Sequence, residues 1–287
     1  MNYRHSYHAG NFADVLKHSV LAQIIGYLKR KDGAFRVIDT HAGIGVYDLS
    51  SPEAQKTGEW RGGVGRLTDA SPSAALAQFL APWLNAVRSL NTEAGTANAV
   101  HLYPGSPKLA RMLMRKQDRL SALELHPEDA GTLRSVFEGD FQVRVTELDG
   151  WLALGAHLPP KEKRGLVLID PPFEQDGEFD RLVDGLARAT RRFAGGSYML
   201  WHPIKADSPL EAFDKKLVAL GRPRTLIVRL LVRDNKTAPG LNGSGLVIVN
   251  PPFTLEAELK AVLPELTGLL STAPGSGFEV RMLVGES

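Results

Sequence analysis

The chain has 287 residues, 43% of them hydrophobic and 23% charged, with 34 lysines and arginines against 32 acids and a formal net charge of +2. Such proportions are ordinary for a soluble globular protein with room for one α/β domain and an insertion, and any nucleic-acid contact must rest on a local basic surface rather than on bulk charge. The lack of cysteine excludes a disulfide framework, a thiolate nucleophile and a zinc–thiolate site. No apolar run is long enough for a bilayer and the first residues are too polar for a signal peptide, so the expectation is a cytoplasmic monomer that uses neither membrane nor metal.

Residues 1–12 crowd Tyr3, Arg4, His5, Tyr7, His8, Asn11 and Phe12 together. Without cysteines or a usual ligand spacing these histidines do not read as a zinc site. A solvated start is one reading; a structured arm beside a polyanion, with Tyr3 and Arg4 as nucleic-acid contacts, is the other. From Val15 to Tyr27 apolar residues recur every three or four positions, which predicts a helix over 14–31 that stops near Gly33. Lys17 and His18 fall near its start, off the most apolar stripe.

Residues 35–38 read as a strand and Asp39 to Gly45 as a small-residue loop leaving it. Glycines there, Gly43 among them, let a ligand approach the backbone closely. The spacing is not G-x-G-x-x-G, which counts against a nicotinamide oxidoreductase. It suits a loop around the amino-acid end of S-adenosyl-L-methionine, with His41 as a ligand or else as a cap. In a simple nucleotide-binding unit the acid that holds ribose follows about 20 residues later; here the next strand, 120–123, comes only after a long Gly/Pro-containing segment. That segment carries one helical run, 74–90, interrupted at Pro82. Residues 47–102 are therefore expected to form a helical subdomain inserted into a domain made of 1–46 and 103–287.

Ser106-Pro107 reads as a helix start, in which Ser106 caps the helix or greets a polar ligand. Strand 120–123 ends on Glu124, placed to accept both ribose hydroxyls as the acid of a dinucleotide-binding fold does. Strand 142–146 leads to Asp149-Gly150, which either meets the adenine ring of the cofactor or makes a simple turn. Leu166 to Ile169 form an all-apolar run, a strand buried on both faces, and Asp170-Pro171-Pro172-Phe173 ends it, because proline lacks the ladder N–H. Three acids thus follow successive strands. At Asp170 the carboxylate and the Pro171 carbonyl can accept the two hydrogens of an exocyclic amine, while Phe173 stacks on the base.

Beyond it, the pattern predicts a helix over 179–193 with a solvated arginine face (Arg181, Arg188, Arg191, Arg192) and a strand over 196–201. A helix over 210–220, a strand over 224–231 and a turn-rich loop over 233–245 with Asn242-Gly243 follow. A strand over 246–249 forms a hairpin with 224–231, and a helix over 254–270 and a strand over 278–284 finish the chain. Asn250-Pro251-Pro252-Phe253 repeats the tetrad, but it follows the hairpin, expected at the far end of the sheet, and reads as a strand terminator.

The blocks Tyr3-Arg4-His5-Ser6, His8-Ala9-Gly10-Asn11, Ala13-Asp14-Val15-Leu16-Lys17-His18, Asp39-Thr40-His41-Ala42-Gly43, Tyr103-Pro104-Gly105-Ser106-Pro107, Glu124-Leu125-His126-Pro127 and Asp149-Gly150 resemble the RlmJ family of bacterial 23S ribosomal RNA adenine-N6 methyltransferases. The resemblance spans the whole chain and is most distinctive at the N-terminus. It implies a Rossmann-like class I methyltransferase sheet with a C-terminal antiparallel hairpin and a small helical insertion. It further implies S-adenosyl-L-methionine contacts at His18, His41, Ser106, Glu124, Asp149, Gly150 and Asp170, proton acceptance by Asp170, and 23S ribosomal RNA contact at Tyr3. Phe173 stands where many relatives carry tyrosine, which keeps stacking and loses a hydroxyl. The competing expectations are a DNA adenine-N6 methyltransferase and a non-catalytic RNA-binding protein that keeps the cofactor fold.

Overall fold

The computed structural model describes residues 4–96, 99–236 and 239–286; Tyr3 lies outside them. After a short 3-10 turn at His5–Tyr7, α1 (Phe12–Leu28) begins two residues earlier than its apolar spacing suggested. The reason is capping: the Asn11 side chain accepts from the N–H groups of Ala13 and Asp14. β1 (Arg36–Asp39) follows. The next segment holds β2 (Val46–Asp48), α2 (Pro52–Thr57), α3 (Val64–Asp69) and α4 (Ala74–Glu93), and β3 (Leu102–Pro104) closes it by pairing antiparallel with β2. Pro82 does not break α4, which runs through it.

The remaining elements alternate: α5 (Ser106–Leu113), β4 (Arg119–Glu124), α6 (Pro127–Val136), β5 (Val143–Glu147), α7 (Gly150–Ala156), β6 (Gly165–Ile169), α8 (Glu178–Arg192), β7 (Ser197–Ile204), α9 (Leu210–Leu220), β8 (Thr225–Leu231), β9 (Gly243–Val249), α10 (Leu255–Leu270) and β10 (Gly277–Val284). Eight strands form one sheet in the order β10-β8-β9-β7-β6-β1-β4-β5. β5, β4, β1, β6 and β7 are parallel neighbours; β9, β8 and β10 are antiparallel. Gly243 starts the β9 ladder, opposite Ile204 and Leu231, so β9 begins three residues earlier than expected and Gly243 is strand rather than turn.

Side chains alternate across the parallel strands, which splits the core in two. Val37, Leu166 and Leu168 face α1, α4, α5 and α10, and Trp83 of α4 lies in that same apolar cluster. Ile38, Val167 and Ile169 face Trp151, Leu186 and Phe213 of α7, α8 and α9. No helix among the described residues is long and apolar enough to cross a membrane.

The sheet order explains the repeated tetrad differently from its expected place at the far end. β9 lies inside the sheet, between β7 and β8, and runs against β7. Asn250 therefore emerges at the edge opposite Asp170, where its side-chain amide donates to the Ala194 and Gly196 carbonyls and Ser197 Oγ donates to its own carbonyl. It terminates a strand and pins the start of β7.

Trp83 is fully buried where α4 meets the sheet cluster. Trp83→Ala should destabilise the fold by about 3–5 kcal/mol, read as a lower midpoint in urea unfolding.

Candidate functional site

β1 lies between β4 and β6, whose connections depart to opposite sides, so a crevice opens at the carboxyl ends of these strands. A cavity of about 1020 Å³ fills it, enough for a cofactor and a nucleobase together. The described residues expected to form the site all line this cavity: His18, His41, Gly43, Ser106, Glu124, Asp149, Gly150, the tetrad from Asp170 to Phe173, and Arg4. Lys17, Trp151, Trp201 and Arg181 line it too.

At one end the loop after β1 supplies backbone. Gly43 has φ +62°, and its N–H donates to Glu124 Oε2 at 2.9 Å, while the His126 N–H donates to Oε1 at 2.8 Å. Two backbone donors thus aim the Glu124 carboxylate, and burial pushes its pKa up. Asp149 caps α7 by accepting from the Trp151 N–H at 2.9 Å. A Cβ on Gly150 would run into the Thr40 carbonyl, so only glycine lets α7 start against the loop. His41 lies edge-on to Trp151, and burial lowers its pKa to about 4, leaving it neutral. Arg181 does not join a solvated face: its guanidinium sits over Trp151, 5.0 Å from the ring centre.

At the other end β6 delivers Asp170. Lys17 Nζ donates to Asp170 Oδ2 at 2.5 Å and pairs with Asp14 Oδ1 at 2.9 Å. Lys17 and Asp14 are 5% and 1% exposed, so the polar start of α1 is buried although it lies off the most apolar stripe. Burial opposes the ammonium, but the Asp14 and Asp170 carboxylates outweigh it and hold the Lys17 pKa above the ordinary lysine range. His18 Nδ1 meets the Tyr103 hydroxyl at 2.7 Å, and burial lowers its pKa to about 3. Phe173 has φ +52°, a left-handed backbone that costs a bulky residue about 1–3 kcal/mol. Its ring is braced edge-on by Phe179 and Trp201, at 5.0 and 5.7 Å.

One of the two readings of Ser106 falls, and Arg4 has a partner in the protein itself. Ser106 does not cap α5, since Gly105 is the N-cap; its hydroxyl donates instead to Asp39 Oδ2 at 2.6 Å. Arg4 sits at the cavity mouth in an exposed pair with Glu128 at 3.2 Å, a contact weak enough to be exchanged for another anion. Asp14, Lys17 and Asp39 were not assigned roles from sequence. The usable signal was three charged or polar residues, Asp14, Lys17 and His18, in the first turns of a helix that is otherwise apolar.

Asp39 is 1% exposed, and burial pushes its pKa up to about 7 against the Ser106 hydrogen bond. Unfolded, it would lose its proton near 3.9. Between those values only the native state holds the proton, so this group's stabilising contribution is full below about pH 4 and is lost as the pH rises to about 7. Asp39→Asn removes that dependence. Its stability relative to the parent should therefore rise by a few kcal/mol, of order 1–4, between pH 4 and pH 8, read by urea unfolding at both.

The sequence profile of the family described as "Ribosomal RNA large subunit methyltransferase D, RlmJ" matches residues 32–283. Proteins named ribosomal RNA large subunit methyltransferase J from Escherichia coli and Haemophilus influenzae are 41% and 42% identical to the chain over 286 residues, covering all of each. A crystal structure of a Legionella pneumophila protein superimposes with a TM-score of 0.84 at 32% identity, covering 96% of this chain and 98% of that one. With its sheet order, its strand-end acids and these relatives taken together, the chain belongs to the RlmJ family of methyltransferases.

Proposed function

We propose that the protein methylates N6 of a specific adenine in 23S ribosomal RNA, with S-adenosyl-L-methionine as donor. The observation that carries this is one cavity with two chemically distinct ends: aimed acids and a glycine-bearing loop at Glu124, Asp149 and Gly43, and an acceptor-plus-ring tetrad at Asp170 to Phe173. The relatives' name supports ribosomal RNA as the substrate class.

The residues fit such a cofactor. The Glu124 carboxylate is oriented by two N–H donors and would accept ribose hydroxyls through its remaining lone pairs, and the loop from His41 to Gly43 would take the amino-acid group. Once bound, the cofactor supplies an electrophilic methyl on a sulfonium. The tetrad handles the nucleophile. An exocyclic amine is weak because its lone pair is delocalised into the ring. Hydrogen bonds from its two hydrogens to Asp170 and the Pro171 carbonyl would localise that pair on nitrogen. Accepting the methyl would leave the amine nitrogen cationic, and Asp170 would take its proton. The adenine must leave any helix to arrive, at a cost of a few kcal/mol, and Phe173 stacking would offset about 1–3 kcal/mol.

Purified protein incubated with S-adenosyl-L-methionine and unmodified 23S RNA should yield N6-methyladenosine by mass spectrometry, and duplex DNA should not. Asp170→Ala should abolish transfer. Phe173→Ala should cost about 1–3 kcal/mol, roughly 5- to 150-fold in kcat/KM, while Phe173→Tyr keeps the stacking and most of the rate. Methyl on DNA alone would favour a DNA enzyme; full function of Asp170→Ala in cells would favour a non-catalytic RNA-binding protein.

A further inference from the structure

Asp14 occupies the third position of α1, where an acid ordinarily reaches back to the N–H of the capping residue. Here it reaches one residue further, and both oxygens are committed. Oδ2 accepts from the Gly10 N–H at 2.9 Å and contacts His5 Nε2 at 3.0 Å. Oδ1 faces Lys17 Nζ at 2.9 Å, with His18 Nε2 at 4.0 Å. Capping accounts for the Gly10 contact alone. It does not account for a carboxylate, 1% exposed, turned toward an ammonium that already has Asp170 as a partner at 2.5 Å.

A single lysine beside a single carboxylate in a buried site would close into a one-to-one pair, and its ammonium would occupy the oxygens that an incoming amine needs. A second carboxylate on the other side of the ammonium changes this, because the ammonium is then divided between two acceptors. Asp14 also carries the chain before α1 on its second oxygen. Resting on the reaction proposed above, we infer that Asp14 is a positioning residue for methyl transfer: it divides the Lys17 ammonium between itself and Asp170, and through Oδ2 it couples that placement to the seating of residues 5–10.

Asp14→Asn removes the charge that draws Lys17 and, with one oxygen in place of two, cannot serve both Lys17 and the Gly10 N–H. The expected result is a fall of about tenfold or more in kcat on 23S RNA, with S-adenosyl-L-methionine affinity by calorimetry and the unfolding midpoint close to those of the parent. The deciding test is a double-mutant cycle with Lys17→Met. If Asp14 acts through Lys17, Asp14→Asn changes the residual kcat of Lys17→Met by less than about twofold. An equal fold-loss in both backgrounds, or a loss explained by the unfolded fraction alone, overturns the proposal. Hydrogen exchange gives the second readout: residues 5–10 should lose protection in Asp14→Asn and keep it in Lys17→Met, and unchanged protection in Asp14→Asn overturns the coupling. A parent inactive on 23S RNA overturns the reaction itself, and is thereby distinguished from an active parent whose cycle is additive.

Discussion

The buried ammonium of Lys17 between the carboxylates of Asp14 and Asp170 is the interaction on which the site depends. Removing such charges from water costs several kcal/mol per ion, and only close, well-directed partners repay it. The trio is therefore a poor device for stability and a good one for specificity of position. It joins the first helix to the strand end 153 residues away, and it fixes the height at which α1 lies over the sheet. The apolar packing of α1 tolerates a small slide, whereas the ion trio and the His18–Tyr103 hydrogen bond hold one position.

The sheet then sets the direction of chemistry. Its parallel half places loop ends on one edge, so Glu124, Asp149 and Asp170 line one cavity and the buried Asp39 ends β1 on the same edge, although the four are scattered through the chain. Three of these acids, Glu124, Asp149 and Asp39, are held by backbone or hydroxyl donors and the fourth, Asp170, by an ammonium, so their surroundings differ by what each accepts. Neutral His18 and His41 between them add polar contacts without adding charge.

Much of this was legible in the sequence, and the exceptions share a cause. Unbroken apolar runs such as 166–169 marked the buried strands, and proline after Asp170 marked their end, because both are local rules. The start of α1 was misplaced since its apolar spacing begins at Val15, whereas its cap is Asn11. Lys17 and His18 fall off the most apolar stripe, and periodicity cannot show that an N-terminal turn and a second carboxylate bury them. Ser106 followed the local capping rule on paper, yet Gly105 takes the cap and Asp39, distant in sequence, takes the hydroxyl. The second tetrad was read as a terminator, but its location depended on strand polarity, which no single stretch encodes.

The left-handed backbone at Phe173 carries a consequence for how this protein can change. Glycine would adopt that conformation without strain, and so relaxing this position would favour the folded state on backbone grounds while deleting the ring. The same change would empty the place between Phe179 and Trp201, so the strain at this position and the bracing of the cavity wall cannot be altered separately.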